Sequence, residues 1–431
     1  MNAETSDLSR ESDYAWPTHD CSRIPNWVYS DRKIYERELE KIFYGPFWTF
    51  IGLEAEVPNP GDFKRAYVGE RSVVMTRDAE GGINVILNSC AHRSSEVCAA
   101  KFGNAKELMC PYHQWVYDLK GNLIGVPFRR GMKGKGGFPK DFALANHNLR
   151  KLKVETLNGA VFATFEEHTL PLEDYLGTQI YARLKRVLDG RKLKVLGYHR
   201  QRIRANWKLY PENMKDSYHA TLLHVFLISF GLYRIDQKGE LIQDARTLSH
   251  NVVSSIRNDL ADVAGTEELR SLKPNFKLND MRSLDVVKEF ADDVTIQIVT
   301  MFPAITLQQQ TNLLQFRNVI PMGPNEFELS WTYFGYETDD AEMTQRRVRM
   351  ANLVGAAGLI SIDDTEVFEF SRAGMDANPD RQCVVELGGR GLEAPEAGDM
   401  VSEGPIRGFY DFYRRIMFGP APAEEVCPLE K

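Results

Sequence analysis

Cys90-Ala91-His92-Arg93, then Cys110-Pro111-Tyr112-His113-Gln114-Trp115, is the stretch on which the reading of this chain turns. Each segment pairs a thiol with an imidazole a residue or two away. Two thiolates and two neutral imidazoles suit either a structural zinc or a [2Fe–2S] cluster in which imidazoles replace two thiolates on one iron. Zinc sites more often group like ligands together, so one ligand of each kind on each of two segments favours the cluster. Cys98 lies close to Cys90 in sequence and is expected to be a small buried hydrophobe.

Outward from this stretch, residues from Trp48 to Phe165 read as short β-type runs broken by Gly, Pro and Asn, such as Ser72–Met75, Ile83–Leu87 and Ala160–Phe165. The expected organisation is an N-terminal segment (1–45) with an amphipathic helix over Asp31–Tyr44 that packs on the last unit. An all-β unit (46–166) follows, and then a larger unit (167–431). Leu172–Leu188, Pro211–Ile228, Ala341–Leu353 and Gly404–Met417 are expected as helix. Lys192–Ile203, Asp293–Met301 and Phe327–Tyr333 are expected as strand, which makes the last unit α+β with an antiparallel sheet. Ser249–Val287 is expected to form short helices and a cover, and the tail from Gly419 on to be irregular. The 431 residues carry a net charge of −7, which argues against a general nucleic-acid binder. No apolar run approaches the ~20 residues that span a bilayer, and Met1–Trp16 lacks the basic start and apolar middle of a secretory signal. The expectation is a cytoplasmic protein without a membrane partner.

A second constellation lies at Glu212-Asn213-Met214-Lys215-Asp216-Ser217-Tyr218-His219, with His224 following. On an ideal helix His219 and His224 point about 140° apart, so they can share a metal only if the helix bends or a carboxylate enters between them. Asp216 sits one turn before His219, placed to orient its ring. Two His and one carboxylate leave open positions on Fe(II), as dioxygen chemistry requires. The carboxylate is expected from Ser361-Ile362-Asp363-Asp364; either aspartate is eligible, Asp363 could instead cap a helix, and Asp364 is preferred.

The first motif resembles that of Rieske proteins, Cys-x-His-Arg and Cys-x-Tyr-His-x-Trp. Tyr112 stands where respiratory Rieske proteins carry a disulfide cysteine, and Ser94 and Gln114 stand where glycine is common. The two motifs together resemble the large (α) subunit of Rieske non-haem iron aromatic-ring-hydroxylating oxygenases, from about Val28 to Met417. The nearest group acts on benzoates: anthranilate dioxygenase, salicylate hydroxylase and terephthalate dioxygenase. The resemblance implies a Rieske [2Fe–2S] cluster on Cys90, His92, Cys110 and His113, and mononuclear Fe(II) on His219, His224 and Asp364. It implies catalytic roles for Asp216, as the bridge from a neighbouring subunit's cluster, and for Asn213 in the same motif. It also implies a curved antiparallel sheet gripping a long helix, and a trimer, either α3 or α3β3 with a small β subunit.

No Gly-x-Gly-x-x-Gly occurs, and Gly134-Lys135-Gly136-Gly137 fails at its last position, so electrons are expected from a separate NAD(P)H reductase, with or without a ferredoxin. The basic stretch Arg129–Lys140 could face such a donor or be plain solvated loop. The expected reaction is O2-dependent hydroxylation or dihydroxylation of an ortho-substituted benzoate such as anthranilate or salicylate. Terephthalate is the alternative substrate, and a Rieske electron carrier or a zinc-stapled binding module are the rival classes. For the substrate carboxylate Arg407 is the first candidate and Arg317 the second; Leu223, Val299 and Gln310 are candidates for the ring pocket.

Overall fold

The computed structural model describes residues 14–233, 237–256, 270–273, 275–392 and 400–419. The tail beyond Gly419 and part of the expected cover (257–269) lie outside them.

The β region consists of three small antiparallel sheets. One has four strands in the order Ile83–Leu87, Arg71–Arg77, Asp62–Val68, Phe102–Asn104. A second joins Leu108–Met109, Val116–Tyr117 and Leu123–Gly125, and a third joins Lys153–Leu157, Ala160–Thr164 and Thr49–Leu53. The first cysteine–histidine segment leaves Ile83–Leu87, and the second is the hairpin loop between Leu108–Met109 and Val116–Tyr117. The two loops are built alike. The Cys90 amide donates to Ser95 O and the Ser94 amide to Cys90 O, while the Cys110 amide donates to Trp115 O and the Gln114 amide to Cys110 O. Ser94 and Gln114 both take positive φ, +57° and +55°. That backbone state explains why glycine suits these two positions. Cys90, Cys98 and Cys110 are buried with Trp115, Tyr117 and Leu123 in a core of their own.

The larger unit is built on one seven-stranded antiparallel sheet. Its order is Leu193–Ile203, Phe327–Tyr336, Leu313–Pro321, Ile305–Gln310, Ile296–Met301, Asn251–Ser255, Gly239–Gln243. Helices Thr178–Val187, Leu209–Lys215, Ala341–Val354, Ser361–Ala377 and Gly404–Phe418 surround it. Pro405 sits in the first turn of the last helix, where its missing N–H costs nothing.

The N-terminal segment folds as helix over Arg32–Glu38 with a π-turn at Leu39–Phe43, and packs on the larger unit. Phe43 meets Trp207 edge-on at 5.0 Å. The buried Glu38 carboxylate accepts from Lys208 Nζ (2.6 Å), Trp207 Nε1 (2.7 Å) and Tyr413 OH (2.5 Å). A buried ion pair persists only with its remaining lone pairs satisfied, as they are here.

The long helix expected over Pro211–Ile228 is instead three short ones: Leu209–Lys215, Ser217–Leu223 and Val225–Ser229. Asp216 (φ −91°, ψ 106°) and His224 (φ −86°, ψ 88°) are the breaks. Asp216 is an efficient N-cap, its Oδ1 accepting from the amides of Tyr218 (2.7 Å) and His219 (3.3 Å). Capping chemistry thus outweighs helical continuity at this point.

Candidate active site

The break at His224 swings its ring back toward His219, and the two imidazole centroids lie 5.4 Å apart. Ser361–Ala377 then delivers Asp364 from its first turn. Asp364 Oδ1 lies 3.2 Å from His224 Nε2 and 3.6 Å from His219 Nε2. One donor atom from each of these three residues falls within 4.8 Å of the others, as metal chelation needs. Asn213 reaches the same space, its Nδ2 3.0 Å from His219 Nε2 and 3.2 Å from Asp364 Oδ1.

Both outward nitrogens face carboxylates. His219 Nδ1 lies 3.2 Å from Asp216 Oδ2, and His224 Nδ1 3.4 Å from Asp363 Oδ2. Asp363 therefore sits behind His224, and Asp364 in front of it. The N-cap position of their helix falls to Ile360 rather than to Asp363. Outer carboxylates fix the ring tautomer so that Nε2 keeps its lone pair for a metal. Burial pushes the His224 pKa down, but Asp364 and Asp363 outweigh it and hold the pKa up at about 9. Burial pushes the Asp364 carboxyl up, and His224 and His219 outweigh it and keep it below its usual range. The site therefore favours a positive charge, and a divalent ion could take the proton's place.

In the β region, the His92 ring lies 4.5 Å from that of His113 and stacks on Trp115 at 4.9 Å and 3°. His92 Nδ1 is buried without a hydrogen-bond partner among the described residues. Cys90 Sγ lies 3.2 Å from Tyr117 OH, and neither Cys90 nor Cys110 is in a disulfide. An orphaned imidazole nitrogen beside free buried thiols fits a cluster held by Cys90, Cys110, His92 and His113. Partial desolvation and the Arg93 guanidinium, 2.6 Å away, lower the His113 pKa, which suits a neutral ligand.

A cavity opens beside His219, His224 and Asp364, and its wall is the central sheet. Strand alternation decides which residues face it. Ile296 and Ile298 line it, whereas Val299 belongs to the opposite parity and is absent from the lining. Leu223 also stays outside, so these two expected pocket residues are corrected. Gln310 and Arg317 do line it.

Arg317 is 3% exposed, and its Nη2 donates to Gln308 Oε1. Among the described residues its Nε is buried without a partner, and its guanidinium lies 4.8 Å from the Trp331 ring. Arg407, the preferred carboxylate candidate, is not in the cavity. Its Nε donates to Gly391 O (2.8 Å) and its Nη1 to Val385 O and Leu387 O (both 3.1 Å). It anchors that chain segment, and the expectation that it binds substrate is withdrawn on this geometry.

Sequence reasoning missed Gln308 and Gln315. Gln315 Nε2 donates to Gln308 Oε1 (2.6 Å), and Gln308 Nε2 donates to Gln310 Oε1 (2.9 Å). Because Arg317 can only donate, Gln308 must turn its oxygen toward it, and the amide of Gln310 must follow. Gln310 is left with its NH2 as a donor. The run Gln308-Gln309-Gln310 inside a strand was the available signal, since three buried amides need partners.

Residues 47–139 match the Rieske [2Fe-2S] domain family, and residues 190–419 match the ring hydroxylating alpha subunit (catalytic domain) family. The chain is 48% identical over 410 residues to the large oxygenase component of salicylate 5-hydroxylase from Ralstonia sp, covering 94% of this chain and 96% of that one. It is 43% identical to the anthranilate 1,2-dioxygenase large subunit of Burkholderia cepacia, covering 94% and 96%. Against the terephthalate 1,2-dioxygenase terminal oxygenase component subunit alpha 2 of Comamonas sp it is 38% identical, covering 95% and 98%. Its fold superposes on naphthalene 1,2-dioxygenase from Rhodococcus sp. with a TM-score of 0.77 at 23% identity, covering 93% and 95%. With both halves matched and relatives spanning nearly its full length, the chain belongs to the Rieske-type ring-hydroxylating oxygenase α subunits.

Proposed function

We propose that this chain is the terminal oxygenase of a multicomponent system that hydroxylates an ortho-hydroxylated benzoate of the salicylate class. The observation that carries this reading is the buried Arg317 facing the same cavity as His219, His224 and Asp364, with no carboxylate within 4 Å among the described residues. A buried guanidinium without a counter-ion is costly, and a substrate carboxylate would relieve that cost. Arg317 is the one Arg or Lys among the described lining residues, which supports a monocarboxylate over terephthalate. The free NH2 of Gln310 calls for an acceptor on the ring, which a phenolic oxygen supplies better than an aromatic amine.

His219, His224 and Asp364 would hold Fe(II), and Cys90, His92, Cys110 and His113 a [2Fe–2S] cluster; these groups supply dioxygen activation and electrons. The chain's own residues do the rest. Arg317 binds the carboxylate and Gln310 turns the ring. Ile296 and Ile298 keep water from the apolar wall, Asp363 hydrogen-bonds His224 Nδ1, and the Asp216 carboxylate lies beside His219 Nδ1. The family resemblance supports a trimer in which His113 of one copy faces Asp216 of the next, a separate reductase with or without a ferredoxin, and a small β subunit. Among the described residues no helix is long and apolar enough to cross a membrane.

A substrate panel of salicylate, anthranilate, benzoate and terephthalate, incubated with chemically reduced protein and O2, tests the reading. Salicylate should give the highest yield of hydroxylated product per protomer. Product from terephthalate alone would overturn the monocarboxylate assignment.

A further inference from the structure

The stretch Arg129–Lys140 departs from the charge of the rest of the chain. The whole carries −7, yet Arg129, Arg130, Lys133, Lys135 and Lys140 fall here with only Asp141 beside them. None of the five has a carboxylate within 4 Å among the described residues. Unneutralised cations on an acidic protein repel one another at some cost in stability, unless a partner gains from them.

The stretch is a folded hairpin. Met132 and Lys135 exchange amide hydrogen bonds (3.0 and 3.1 Å), and the Phe138 amide donates to Arg129 O at 3.0 Å. Lys133 and Gly134 at the tip both have positive φ, +51° and +75°, the backbone of a tight two-residue turn. Across the base the two arms touch: a Cβ on Gly137 would lie 2.6 Å from Gly131 N, and one on Gly131 2.3 Å from Lys135 O. The glycines therefore build a defined shape that presents the cations. Between them stand Phe128 and Met132, 65% and 59% exposed, apolar contacts inside a charged rim.

Beneath the hairpin, Phe138 and Phe142 pack on Trp115 at 6.0 and 5.9 Å, and Trp115 stacks on His92. The cationic surface thus lies one aromatic layer from a cluster imidazole. His113 has other neighbours, Arg93 and the exposed Tyr112, so the two imidazoles are reached from different surroundings.

The geometry points to this hairpin as the docking surface for the electron donor, an iron–sulfur protein with an acidic face. The inference rests on the reading that His92 helps hold a [2Fe–2S] cluster. One electron leaves the reduced donor, which is oxidised, and enters the oxidised cluster; no bond forms or breaks. Opposite potentials steer the encounter and weaken with salt.

The test uses holoprotein and a plant-type [2Fe–2S] ferredoxin as the acidic probe. The Kd for the oxidised ferredoxin and the rate of cluster reduction by the reduced one are measured from about 20 mM to about 500 mM salt, a range over which screening becomes strong. The parent should bind tightest at low salt. Lys133→Glu/Lys135→Glu should weaken binding and slow reduction by about tenfold or more at low salt, with the gap closing at high salt. Equal binding by parent and variant, or parental binding indifferent to salt, overturns the inference. If the double variant loses the cluster's visible circular dichroism, Lys133→Gln/Lys135→Gln is read in the same way. Single turnover by chemically pre-reduced variant should match the parent; failure of both to form product would count against the oxygenase reading and leave the docking result standing.

Discussion

Replacing Arg317 by glutamine removes a buried charge but keeps an N–H for Gln308 Oε1, which now receives from Arg317 and Gln315. Losing one partner of a buried, hydrogen-bonded charge pair costs about 2–5 kcal/mol of binding. Glutamine retains one neutral hydrogen bond, so the lower half of that range applies. About 2 kcal/mol is about a 30-fold weaker Kd for salicylate. The free protein responds in the opposite sense. Among the described residues its guanidinium has an orphaned Nε and no counter-ion, so neutralising it should leave Tm unchanged or raise it. Calorimetric titration of salicylate and thermal unfolding with and without ligand measure both quantities. The parent should gain Tm on adding salicylate, and the variant should gain much less. A Kd within threefold of the parent, or a Tm several degrees lower without ligand, would refute the assignment of Arg317 as carboxylate anchor.

Asp216→Asn should keep the helix cap through Oδ1 but set an NH2 against the Nδ1–H of His219; iron content should persist while turnover falls about 100-fold or more, as for mispositioned catalytic groups. His219→Ala should lose the mononuclear iron by metal analysis while the visible spectrum of the cluster survives. Ser94→Gly and Gln114→Gly relieve positive-φ strain against added chain entropy, so each should stabilise its loop by on the order of 0.5 kcal/mol in denaturant unfolding. Burial holds Glu212 up at about 7, against its hydrogen bonds from Tyr410 and Tyr29. Its proton is kept in the folded chain at pH values where the unfolded chain has lost it. The contribution is therefore full below about pH 4.5 and is lost as pH rises through about 7, at most about 3 kcal/mol. Glu212→Gln should flatten the stability profile over that window, and an unchanged slope would place the titration elsewhere.

Both family domains were legible because the chemistry of their motifs restricts residue type and spacing together. The strand at Phe327–Tyr336 was legible because its first half keeps period-2 alternation, and that at Ile296–Met301 because it is rich in β-forming residues. What the sequence hid was three-dimensional. Val299 and Ile298 are adjacent and equally apolar, and only the sheet's parity sends one to the cavity. Arg407 and Arg317 both stand among apolar residues, and only the fold shows one facing backbone carbonyls while the other faces open space. Asp364 was preferred over Asp363 without decisive grounds, because the two differ by one step of a helix whose position against His224 is a long-range fact.

The interruption at His224 also limits what can be borrowed from this protein. A designer who grafted His219 and His224 at their native interval onto an uninterrupted rod would obtain two imidazoles aimed at different solvent quadrants. The transferable unit is the jointed backbone, with Asp216 as its first hinge pin and His224 as both elbow and proposed ligand. Stiffening that elbow with better helix formers would be expected to improve local folding while undoing the convergence of the two rings.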